Sequence, residues 1–91
     1  MKVIKRDGST VDFDRSKIVI AIEKANKAVD AADRVAAEDI EKIADYVEQK
    51  KRTRYLVEDI QDMVESQLME LGKFQLAKAY IIYRYTRALV R

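Results

Sequence analysis

Apolar residues recur along this chain with two different periods. Near the N-terminus the period is two, with KVIKRDGSTVDF at residues 2–13 alternating around Asp7-Gly8. Such alternation marks strands with one buried face, and Asp-Gly between them is a strong hairpin signal. A two-residue type I′ turn at Asp7-Gly8 would set Arg6 opposite Ser9, Lys5 opposite Thr10, Ile4 opposite Val11 and Val3 opposite Asp12. Ile4, Val11 and Phe13 would then share the face that covers a core. A lone hairpin is marginal in water, so helices must back it.

After Phe13 the period lengthens. Asp14 is a good N-cap, and Ile18, Ala21, Ile22, Ala25, Ala28 and Val29 follow at helical spacing. The pattern fades over residues 29–34. A second helix carries Ile40, Ile43, Ala44 and Val47, with a poorly capped start between Val35 and Glu38. A basic stretch, KKRTR at 50–54, follows. A third helix starts near Val57. Glu58, Asp59 and Asp62 load its first turns with negative charge, which suits the helix dipole. Its stripe is Ile60, Met63, Val64, Leu68 and Leu71, and Gly72 suits the C′ position. A fourth helix runs from about Phe74 to Leu89. Its segment LAKAYIIYRY is apolar on most sides, so it is expected to be the central helix. The predicted class is α+β: an N-terminal β-hairpin followed by four helices.

Composition narrows the function. The 91 residues suit a single domain, 1–91, and 37% charged with 48% hydrophobic residues is a globular profile. There is no proline, and Gly8 and Gly72 are the two glycines, so long helices with short connections are expected. A net charge of +2 does not make a nucleic-acid polycation. With no Cys and no His, the chain cannot supply disulfides, thiolate zinc sites, His-dependent catalysis or a thiol nucleophile. Residues 1–20 are too charged for a signal peptide, and no apolar run could cross a bilayer. A cytoplasmic location is expected.

Four features could carry chemistry. Glu58, Asp59 and Asp62 could hold a metal, and Glu58 and Asp62 share a face at i, i+4, but dipole complementarity already explains them. KKRTR could contact nucleic acid, yet Tyr55 is its one aromatic neighbour, which favours a solvated or subunit-contacting loop. On the last helix Tyr80, Tyr83 and Arg87 can face one site beside Arg84. Tyrosines at this spacing are either core or a platform for an adenine or sugar, with Arg87 meeting phosphate. Lys5 and Arg6 at the hairpin tip are either solvated charge or phosphate ligands, and strand alternation aims them to opposite faces. No Walker-type GxxxxGK[ST] loop is present, so a nucleotide here would be bound without evident hydrolytic machinery.

Three blocks, VIKRDGSTVDFDRSKI, VEDIQDMVE and LAKAYIIYRYTR, together resemble the ATP-cone family from Lys2 to about Val90. The resemblance implies a β-hairpin capping a four-helix bundle. It also implies an allosteric module that binds ATP or dATP and controls ribonucleotide reductase activity through oligomeric or conformational state. VEDIQD and AKAYIIYRYTR look most like the anaerobic reductase version. The resemblance implies that Val3, Lys5 and Arg6 on the hairpin, Lys17 and Ile18 on the first helix, and Tyr83 and Arg87 on the last contact the nucleotide. Some members carry a Glu on the second strand, and a Thr and a His at the start of the third helix. Val11, Val57 and Gln61 stand there instead, and Gln61 is carried as a contact. No residue is assigned to catalysis or to a metal. Mg²⁺ is expected to accompany the triphosphate, held mainly by phosphate and water. The implied partners are a reductase catalytic domain, of which this chain would be an excised or regulatory fragment, and further copies of the cone; a membrane or nucleic acid is not implied. Alternatives are the cone of a nucleotide-responsive transcriptional regulator, a nucleic-acid-binding helical module using residues 50–54, and a plain protein-interaction domain.

Overall fold

The computed structural model describes residues 1–90, with side chains through Arg84. The hairpin forms from β1 (Lys2–Ile4) and antiparallel β2 (Thr10–Asp12), but its register is one residue away from the expected one. Lys2 faces Asp12, Val3 faces Val11 and Ile4 faces Thr10. The turn is the cause. The Lys5 N–H donates to the Ser9 carbonyl at 2.8 Å and the Gly8 N–H to the Lys5 carbonyl at 2.9 Å. Arg6, Asp7 and Gly8 therefore form a three-residue loop, with Gly8 left-handed at φ 86°. The Asp7 carboxylate accepts from the Ser9 N–H at 2.9 Å and the Ser9 hydroxyl at 2.6 Å, bonds that hold its pKa below the usual value. A one-residue shift exchanges the faces of a strand. Val3, not Ile4, thus joins Val11 and Phe13 on the core side.

A further strand, β3 (Arg54–Leu56), was not expected. It pairs parallel to β1, giving the order β2-β1-β3, with Val3 beside Tyr55. The end of the basic stretch therefore enters a sheet: the Lys2 N–H donates to the Thr53 carbonyl at 3.0 Å and Arg54 opens the strand. Tyr55 is fully buried, donates from its hydroxyl to the Val47 carbonyl at 2.8 Å, and sits with its ring 5.5 Å from that of Phe13.

The helices are α1 (Arg15–Asn26), α2 (Ala37–Glu48), α3 (Val57–Glu70) and α4 (Phe74–Val90). Asp14 caps α1 as expected, accepting from the Ser16 N–H at 3.0 Å. Ala28 and Val29 lie beyond the end of α1. Asn26 closes it by exchanging hydrogen bonds with the Val35 backbone at 3.1 and 3.2 Å across a short 3₁₀ turn at Ala31–Asp33. Arg15 fastens the first turn of α1 to α2, donating to Asp45 at 2.7 Å, Glu48 at 2.8 Å and Glu41 at 3.3 Å. The weak cap expected for α2 is real, since Ala36 at its N-cap offers no side-chain acceptor.

Gly72 ends α3 as expected. Its N–H donates to the Met69 carbonyl at 2.9 Å and that of Lys73 to Leu68 at 3.0 Å, the Schellman pattern. Nothing lies within 4 Å of a Cβ placed there, so only its φ of 75° opposes a side chain. Gly72→Ala is expected to cost about 1 kcal/mol, read by denaturant unfolding. An unchanged midpoint would show that the turn relaxes.

Helix α4 packs on α1 and α3, while α2 packs on the same two from the other side. The core is centred on Ile22, Ile43, Val47, Tyr55, Val64 and Leu68, with Leu76 from α4. The expectation that α4 is central holds on one face only. Leu76, Ala77 and Tyr80 are buried, but Ile82 is 58% exposed. No helix among the described residues is long and apolar enough to cross a membrane.

Candidate functional site

A cavity of about 710 Å³ opens where the hairpin meets α1, α3 and α4. That volume lies within the roughly 300–1,000 Å³ of small-molecule sites. Seven of the eight residues expected at a nucleotide site line it: Val3, Lys5, Arg6, Lys17, Ile18, Gln61 and Tyr83. The eighth, Arg87, has its side chain outside the described residues.

Each element delivers its residues for a local reason. The observed register puts Lys5 on the same side of β1 as Val3, facing inward. Arg6 belongs to the loop, so strand alternation does not govern it. That is why both cations reach the cavity, where alternation predicted opposite faces. Arg6 is partly engaged, with its Nε 3.3 Å from Glu58. Both side chains are near half exposed, and such a pair is weak. The Asp14 cap fixes the start of α1, so Lys17 and Ile18 fall within its first turn and face the hairpin.

The charge balance favours an anion. Asp7, Asp12 and Asp14 also line the cavity, but each carboxylate is occupied. Asp7 bonds to Ser9, Asp12 pairs with Lys2 and Asp14 bonds to Ser16, and these contacts hold all three pKa values below the ordinary one. Lys5 and Lys17 have no ion pair or side-chain hydrogen bond among the described residues. The walls between them are apolar, made by Val3, Val11, Ile18 and Ile60. Two ammonium groups without an ion pair or hydrogen bond, each only weakly attracted to an exposed carboxylate (Lys5 to Asp7, Lys17 to Asp14), beside an apolar wall suit a ligand with an anionic end and a flat, less polar body.

Helix α4 divides its polar residues. Tyr80 is 3% exposed, and burial raises its phenol pKa, so it is a neutral part of the cavity floor. Tyr83 is half-buried on the cavity wall. Arg84 meets α3, donating from Nη1 to Gln61 Oε1 at 2.6 Å and pairing through Nη2 with Glu65. Sequence reasoning placed Arg84 beside the tyrosines but missed this contact, which joins residues 23 apart in the chain. The acidic start of α3 also has partners: Glu58 pairs with Arg6, and Asp59 lies 3.6 Å from Arg52. Among the described residues no group of three or more His, Cys, Asp or Glu side chains is placed to hold a metal ion.

The family model of the ATP cone domain matches residues 1–89. The chain is 38% identical, over its whole length, to a stretch of the ribonucleoside-diphosphate reductase subunit alpha of Chlamydia muridarum, and covers 10% of that protein. It is 41% identical over 99% of its length to a vitamin B12-dependent ribonucleoside-diphosphate reductase of Thermoplasma acidophilum, of which it covers 12%. It is 42% identical over 98% of its length to an anaerobic ribonucleoside-triphosphate reductase of Salmonella typhimurium, covering 12%. The likeness to the anaerobic enzymes is thus shared with the other reductase types. The chain spans about a tenth of the length of these relatives. A match that runs from the hairpin through α4, over the elements that build the cavity, places the chain in the ATP-cone family.

Proposed function

We propose that this chain binds ATP or dATP in the cavity beneath the hairpin and serves as the allosteric domain of a ribonucleotide reductase. The observation that carries the proposal is the convergence of Lys5 and Lys17, from different elements and without ion pairs among the described residues, on one cavity with an apolar wall. In this arrangement Lys5 and Lys17 hold the phosphates. Arg6 joins them by exchanging Glu58 for a phosphate oxygen, a stronger charge-assisted partner. Val3, Ile18 and Tyr83 flank the base, Gln61 meets the nucleoside, and Arg87 extends the cationic edge along α4. Mg²⁺ accompanies the triphosphate on phosphate oxygens and water, since the cavity carboxylates are already occupied.

The domain regulates and does not catalyse: the chain has no Cys or His to serve as a thiol nucleophile or an imidazole base. ATP and dATP differ by one hydroxyl, so each acts by favouring a different conformational or oligomeric state of the parent enzyme. The basic stretch offers less support for a nucleic-acid reading. Lys50 lies over the Tyr46 ring at 4.4 Å, Arg52 pairs with Asp59, and Arg54 is held in β3.

Calorimetric titration with ATP and with dATP tests the proposal. Saturable heat with either nucleotide is expected, with little dependence on added DNA. Absence of heat with both, at protein concentrations well above micromolar, sinks it. DNA binding that weakens steeply with salt and ignores ATP would favour the helical nucleic-acid module instead.

A further inference from the structure

Gln61 and Arg84 reach the cavity from different helices, and their mutual geometry limits what this wall can offer a ligand. Arg84 donates from Nη1 to Gln61 Oε1 at 2.6 Å. A guanidinium carries donors and no acceptor, so the carboxamide must turn its oxygen to Arg84. Flipping it would set N–H against N–H. Gln61 Nε2 makes no other hydrogen bond among the described residues. Arg84 is itself held in place. Its Nη2 forms an ion pair with Glu65, the two side chains being 21% and 19% exposed, while among the described residues neither the buried Glu65 Oε1 nor the buried Arg84 Nε has a hydrogen-bond partner. Two contacts from α3 therefore orient the guanidinium. Leaving Glu65 to reach a phosphate would strand a half-buried carboxylate, a cost that Lys5 and Lys17 do not face.

We infer that Arg84 is a positioning residue: anchored by Glu65, it locks the Gln61 carboxamide so that its NH₂ group is a fixed donor to an acceptor on the bound nucleoside, either a purine ring nitrogen or a ribose oxygen. The inference rests on the nucleotide site proposed above. A locked amide loses little rotamer freedom on binding, and it penalises a ligand that leaves the donor unpaired.

A double-mutant cycle read by calorimetry with ATP and dATP, with a melting curve for each variant, tests it. The variants are Gln61→Met, the pair Arg84→Met with Glu65→Gln (which leaves no stranded carboxylate), and all three together. Gln61→Met is expected to weaken binding about three- to tenfold, the scale of one hydrogen bond. The Arg84/Glu65 pair is expected to weaken it by a similar factor, and the triple variant by no more than Gln61→Met alone. Arg84→Lys, which keeps a donor and the ion pair, is expected to stay within about twofold of wild type. It also serves as the test if the paired variant fails to fold. Equal losses for ATP and dATP assign the acceptor to the base or the ring oxygen, and a loss confined to ATP assigns it to the 2′-hydroxyl. Additive losses would show that Arg84 touches the phosphates directly and overturn the inference, as would an unaffected Gln61→Met. A tenfold loss in Arg84→Lys would do the same. In each of these cases wild-type binding persists, so they are distinct from failure of the nucleotide reading, in which the wild-type chain binds neither nucleotide.

Discussion

Replacing Tyr55 by alanine is expected to remove about 3–5 kcal/mol of stability, the largest loss from any single truncation considered in this chain. Tyr55 is fully buried, and its ring packs on Phe13 while its hydroxyl reaches the last turn of α2 at the Val47 carbonyl. One side chain thereby ties the sheet to a helix bundle. A domain of this size has about 5–15 kcal/mol in total, so the variant would sit near its unfolding threshold. Tyr55→Phe separates the two contributions. The Val47 carbonyl keeps a second donor, the Lys50 N–H at 3.3 Å, so losing the hydroxyl strands no acceptor. That change is expected to cost about 0.5–1.5 kcal/mol. Urea unfolding of both variants checks the pair. A loss below about 1 kcal/mol for Tyr55→Ala would mean that the sheet does not depend on this anchor.

Tyr55 also shows where the sequence stops being informative. Helices α1 to α4 were legible because each repeats its apolar period over three or more turns, and Asp14 and Gly72 mark the start of α1 and the end of α3. Strand β3 has three residues, and one buried position in three is not a period. It is held by parallel pairing to β1, some fifty residues away in the chain, and by burial of one ring. Both are tertiary facts. The hairpin failed differently. Asp7-Gly8 correctly marks a turn, but the pair suits a two-residue loop and the end of a three-residue loop alike. Capture of the Asp7 carboxylate by Ser9 accompanies the second, and with it the register moves by one.

The register error matters because the site depends on it. With Ile4 inward, Lys5 would face solvent; with Val3 inward, Lys5 lines the cavity. The family resemblance named the same residues without needing the register, since it matches positions and not directions. Neither route could show which cations are already committed. The partners of Arg6, Arg52 and Arg84 lie on other elements, and only the folded chain reveals that Lys5 and Lys17 differ from them.

That difference yields the second large effect. The variant Lys5→Ala with Lys17→Ala is expected to weaken ATP binding by about a hundredfold or more. In the proposed binding mode each ammonium would form a charge-assisted bond worth about 1.5–3 kcal/mol to a phosphate, and about 1.4 kcal/mol is a factor of ten. The unliganded domain should melt almost unchanged, because neither side chain has a partner among the described residues to lose. Their weak attractions to the exposed Asp7 and Asp14 are screened by solvent and add little. Lys24→Ala with Lys27→Ala is the matched control. It alters the net charge equally at exposed positions near the far end of α1, outside the cavity lining. If the control weakens binding as much as the cavity pair, the attraction is diffuse and not local, and it should fade with added salt. If the cavity pair instead lowers the melting transition steeply, Lys5 and Lys17 support the fold, and their lack of partners has been misread as readiness for a phosphate. Retained affinity with an unchanged melting curve would remove the phosphates from this end of the cavity altogether.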